Sequence, residues 1–127
     1  MLLGLNNSDF MQITATHRLS SPEQLSRISV ALMAVLEVET FTLVAGVDAP
    51  EFRALDEQMQ EWCYVNRPGL ARRTTARAEN GTYVVITLFG EASQAVASYY
   101  KDSDAVVAAW SAAITESSRS VAVYSLL

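Results

Sequence analysis

Glu39 is the residue most able to do chemistry. It sits in an alternating run from Val35 to Val44, on one face with Val35, Glu37, Phe41 and Leu43. A carboxylate on such a face is costly to bury alone. It would need to act as a base toward a bound substrate, pair with an arginine, or reach water at the sheet's rim. Cys63 and His17 are the only residues of their types. One cysteine allows no internal disulfide and no multi-cysteine metal site, and reads as a small buried hydrophobe rather than a catalytic thiol. One histidine gives little support for a zinc site. The glycines form no dinucleotide-binding fingerprint, so the expectation is no metal and no cofactor. Arg67, Arg72, Arg73 and Arg77 form a local basic cluster. A solvated sheet edge is its simplest reading and an anion site the alternative.

These residues must be held by one domain, since 127 residues suffice for a single core. Half the residues are hydrophobic and 18% are charged, a composition that folds. A net charge of −5 argues against a general nucleic-acid binder. No apolar run is long enough to span a membrane, and the N-terminus lacks the pattern of a secretion signal. A cytoplasmic protein is therefore expected.

Ser21-Pro22-Glu23-Gln24 reads as a capped helix start, within an extension of residues 1–32. From Val35 the order is strand, helix, hairpin, helix, strand. Pro50 opens a helix to about Asn66, with Phe52, Leu55, Met59 and Trp62 as its buried stripe. Pro68-Gly69 ends it. Glu79-Asn80-Gly81 joins the runs Leu70–Ala78 and Thr82–Phe89, and Asn-Gly is a strong hairpin signal. A two-residue type I′ turn would place Glu79 opposite Thr82 and Ala78 opposite Tyr83. Thr74 and Ala76 would then share a face with Tyr83, Val85, Thr87 and Phe89. Arg73, Thr75 and Arg77 would lie on the other face with Val84, Ile86 and Leu88. A helical region follows from about Ser93 to Ile114, interrupted at Asp102-Ser103-Asp104 by a fresh N-cap. Ser120 to Leu127 closes the chain as a strand. The expected fold class is α+β, a ferredoxin-like β-α-β-β-α-β unit over residues 33–127. Two helices cover only one face of such a sheet. Leu36, Val38, Val84, Ile86 and Leu88 on the other would form an apolar patch, and a homodimer through that face is expected.

These features resemble the antibiotic-biosynthesis-monooxygenase-like group of dimeric α+β barrel proteins. The matching residues are Val35-Leu36-Glu37 through Phe41 to Gly46-Val47-Asp48, the Phe52 helix, Pro68-Gly69 with Arg72-Arg73, Glu79-Asn80-Gly81, the alanine-rich helix from Ser93, and Val123-Tyr124. The resemblance covers roughly residues 33–127 and implies a small-molecule pocket between helices and sheet. Haem-degrading members place a histidine on the second helix, with an asparagine and a tryptophan on strands. Here the histidine is missing, Glu39 stands at the asparagine's place and Phe89 at the tryptophan's, so haem degradation is not expected. The resemblance implies either a cofactor-independent monooxygenase of a small aromatic or polyketide-like substrate, or a non-catalytic ligand-binding or structural dimer. The expected lining is Phe41, Trp62, Thr74, Thr87, Phe89 and Trp110, mostly apolar as such pockets are, though plain core packing is the favoured reading of the aromatics. Glu39 would move a proton, and Tyr83 and Tyr99 would donate to a phenol or quinone oxygen.

Overall fold

The computed structural model describes residues 21–22, 33–97 and 104–127. The helix started at Ser21 falls, beyond Pro22, outside the described residues, as do Tyr99, Asp102 and Ser103. Four strands form one antiparallel sheet: β1 (Val35–Phe41), β2 (Leu70–Arg77), β3 (Tyr83–Phe89) and β4 (Ser120–Ser125). Their spatial order is β2-β3-β1-β4, so the first strand is central and β2 and β4 are edges. Helices α1 (Ala49–Asn66), α2 (Ala92–Ala97) and α3 (Ala105–Ala112) complete the ferredoxin-like β-α-β-β-α-β arrangement. Among the described residues, no helix is long and apolar enough to cross a membrane.

Local chemistry fixes the element ends. Asp48 caps α1 by accepting from the Glu51 backbone N–H at 2.9 Å, and Pro50 supplies a preset φ in the first turn. Asp104 caps α3 through the Val106 N–H, the fresh cap expected there. β1 stops at Phe41, earlier than its alternating run, because Thr42 donates its N–H to the Ser118 hydroxyl instead of a strand. β4 likewise ends at Ser125.

The hairpin differs from the sequence expectation by one residue. Ala78 pairs with Thr82, and the loop is the three residues Glu79-Asn80-Gly81. The Gly81 N–H returns to the Ala78 carbonyl at 3.0 Å, and Gly81 takes φ +88°. Asn80 Oδ1 accepts from the Thr82 N–H. This geometry matches a turn closed by a glycine bulge rather than a two-residue turn. Arg77 therefore faces Tyr83, Thr75 faces Val85 and Arg73 faces Thr87. One residue of slip turns every β2 side chain over. Arg73 moves to the helix side, and Thr74 leaves it.

The stripe of α1 is rotated to match. Phe52, Asp56, Met59 and Cys63 are buried, while Leu55 and Trp62 are half-buried. Phe41, Phe52, Tyr83 and Trp110 pack as an aromatic cluster, with centroids 4.9 Å apart for Phe52–Tyr83 and 5.5 Å for Phe41–Trp110. Val35, Phe89, Ala92 and Ala95 form a second buried group under α2.

Gly81→Ala tests the turn. A Cβ there would meet nothing within 4 Å, so only the left-handed backbone opposes it. The expected loss is about 1 kcal/mol, read as a lowered urea midpoint. An unchanged midpoint would contradict the bulged geometry.

Candidate functional site

Between sheet and helices lie, among the described residues, three arginine–carboxylate pairs. Arg67 closes the C-terminal end of α1 and holds Glu37 with two hydrogen bonds, 3.0 and 3.1 Å, while donating a third to the Ala95 carbonyl. Its guanidinium also lies 4.7 Å from the centre of the Phe89 ring. Arg119, just before β4, donates to Glu39 and stacks on Trp110. Arg73 donates to Asp56 at 2.7 Å and to Gln60 at 3.2 Å. Asp56 accepts in addition from the Trp110 indole N–H at 2.9 Å. Paired in this way, charges in a dry interior keep their hydrogen bonds.

Glu39 thus takes the arginine-paired state among those its sequence position allowed. Tyr83 lies under the first turn of α1, 92% buried and stacked on Phe41. Tyr99 lies outside the described residues. Phe41 and Trp110 belong to the main core, and Phe89 to the second buried group. Trp62 donates its indole N–H to Asp104 at 2.6 Å and is half-buried. Thr87 is buried between Glu37 and Arg73 in the strand register. Thr74 is exposed, on the sheet face away from the helices. Burial pushes the Cys63 thiol above its usual range, against the opposing pull of Arg73 and Arg67. A protonated thiol in the core is inert, as its apolar setting suggested.

The open space lies elsewhere. A groove of about 650 Å³ runs between α1 and edge strand β2. Its helix wall is Ala49, Phe52, Arg53, Asp56, Glu57, Gln60 and Tyr64, and its strand wall is Arg72 to Arg77, with Tyr83. Of the residues expected to line a pocket or act in it, this groove gathers Tyr83 and Thr74; Glu39, Phe41, Trp62, Thr87, Phe89 and Trp110 do not line it. Asp56 and Tyr64 were missed. Asp56 carried a signal, a carboxylate one turn after Phe52 and three residues before Met59. Tyr64 carried none, because its role depends on register: its hydroxyl accepts the outward N–H of Arg73 at 3.0 Å.

No protein-family profile and no curated protein matches the chain. Solved structures do. A putative antibiotic biosynthesis monooxygenase from Caulobacter crescentus CB15 superposes with a TM-score of 0.63 at 16% identity, over 81% of this chain and 98% of that one. SnoaB, a cofactor-independent oxygenase from Streptomyces nogalater, gives 0.59 at 17% identity, over 75% and 94%. A dimeric protein of unknown function and ferredoxin-like fold from Bacteroides fragilis gives 0.54 at 12% identity, over 73% and 96%. The ferredoxin-like fold is therefore borne out, and with it the structural resemblance to the monooxygenase-like group.

Arg67→Met would leave Glu37 buried without its counter-charge. The expected cost is about 3–5 kcal/mol in denaturant unfolding. Adding Glu37→Gln should recover much of it. A single variant as stable as the natural protein would show that the pair does not hold α1 to the sheet.

Proposed function

We propose that this chain is a homodimeric, cofactor-independent monooxygenase of a small aromatic or polyketide-like substrate, bound in the α1–β2 groove. The observation that carries this reading is that groove, with Phe52, Tyr83 and Tyr64 on its walls, on the fold shared with SnoaB. In such a reaction the substrate loses an acidic C–H proton and its carbanion reduces O₂. A CH₂ group and O₂ give C=O and water, with no electrons needed from a cofactor. In this reading Glu39 steadies the sheet through Arg119, while guanidiniums along the groove stabilise the substrate anion. Tyr83 orients an oxygen of the substrate, and a part for Tyr99 stays an expectation from the sequence. A single histidine and a single cysteine agree with a site that holds no catalytic metal.

A second reading is a non-catalytic ligand-binding dimer. It is favoured by the arginines on Glu37, Glu39 and Asp56, which take up all three buried carboxylates described on the helix side. Oxygen uptake separates the two. With a panel of anthrone-like and hydroquinone compounds, the oxygenase consumes one O₂ per product formed. Binding with no uptake above the spontaneous rate would leave the binder.

The dimer rests on the sheet face turned away from the helices. Leu36, Val38, Val84 and Leu88 are half-buried there, and Ile86 and Tyr124 are exposed at 38% and 56%. Residues 33–127 form the unit in this proposal, with residues 1–32 as an extension, inside a cytoplasmic protein. Sedimentation should show a dimer, kept by a chain beginning at Met33 and lost or unfolded in Ile86→Asp. A stable monomer of the natural protein at micromolar concentration would contradict it.

A further inference from the structure

We infer that the α1–β2 groove takes its ligand as an anion, a small aromatic acid or phenolate whose charged oxygen rests against Arg77. The inference deepens the proposed function and depends on the groove being the binding site. It follows from which charges around the groove are already committed. Asp56 is taken by Arg73 and by the Trp110 indole. Glu57 lies 3.5 Å from Arg53, one turn away on α1. Arg72 and Arg77 have no ion pair among the described residues. The groove is thus left cationic on a chain whose net charge is −5. Positive charge gathered in a cleft of an acidic protein draws anions to that cleft.

The two arginines differ. An edge strand carries charge to keep other strands away, and Arg72, which alternates to the face without helices, serves that end. Arg77 alternates to the helix side with Arg73 and Thr75. It stands directly across from Tyr83, whose ring meets Phe52 edge-on at 4.9 Å. A guanidinium and two aromatic rings therefore share one end of the groove, the pairing that suits a flat ring bearing an oxyanion. Thr75 Oγ1, two residues before Arg77, is buried and makes no hydrogen bond to the described residues, so a hydroxyl donor lies on the same wall.

The test titrates the full chain with 2-naphthoate and with 2-naphthamide, equal in shape and different in charge, at low and high salt. The naphthoate is expected to bind at least about tenfold more tightly, as a charge-assisted hydrogen bond would give. High salt should shrink that preference. Arg77→Gln should abolish it, weakening the naphthoate far more than the amide, while Arg77→Lys keeps part of it. Arg77 is exposed, so neither variant threatens folding, and circular dichroism checks this. Equal affinities, a preference that survives Arg77→Gln, or no binding of either compound would overturn the inference. Naphthoate bound without oxygen uptake from any anthrone-like or hydroquinone compound would leave the anion site standing and remove the oxygenase. Neutral compounds oxidised while acids are ignored would do the reverse.

Discussion

Glu37 and Glu39 sit in the central strand on the side that the helices cover, and both are nearly inaccessible to water, at 4% and 1% exposure. Two buried carboxylates so close in sequence would repel each other and lose their hydration, a costly arrangement unless counter-charges or protons meet them. Arg67 meets one from the end of α1, and Arg119 meets the other from the approach to β4. Those two contacts tie the end of α1 and the approach to β4 to the central strand. The Arg119 guanidinium, spread over Trp110, also anchors α3. A third pair, Arg73 with Asp56, ties the middle of α1 to β2 and holds the Trp110 indole between helix and sheet.

This arrangement decides where a ligand can go. The space between helices and sheet is filled by Phe41, Phe52, Met59, Trp110 and the ion pairs. Among the described residues a groove opens on the flank, where α1 stands over the edge of β2. Tyr64 covers one outward backbone N–H of that edge, at Arg73, and the rest of the strand wall runs on to Arg77. A groove of this kind combines a strand, a helix and two arginines without an ion pair among the described residues, the make-up expected of a small-molecule site.

The order of elements was legible in the sequence because it rests on local signals: Pro50 and Asp104 at helix starts, Pro68-Gly69 as a stop, Asn80-Gly81 in a turn. The register was not. Asn-Gly suits both a two-residue turn and a three-residue loop ending in a positive-φ glycine, and these differ only in whether Glu79 joins the strand or the loop. That single residue sends Arg73 inward, and Arg73 in turn draws Asp56 into the stripe of α1. Periodicity ranked Leu55 and Trp62 above Asp56 because it weighs apolarity and cannot see a counter-charge arriving from another strand. The alternation of β1 did place Glu37 and Glu39 on the helix side with Val35 and Phe41. Which arginines would meet them depended on long-range packing between residues 30 and 80 positions apart.

The central claim is that ligand chemistry belongs to the flank groove and that the charged interior is structural. Backbone and indole N–H chemical shifts, followed by NMR as 2-naphthoate is added, test it most directly. The account predicts shifts confined to the α1 face from Phe52 to Tyr64 and to Arg72 through Tyr83, with Glu37, Glu39 and Arg119 unmoved. Shifts centred on Glu39, Arg119 and the far end of the sheet, with the groove silent, would contradict it.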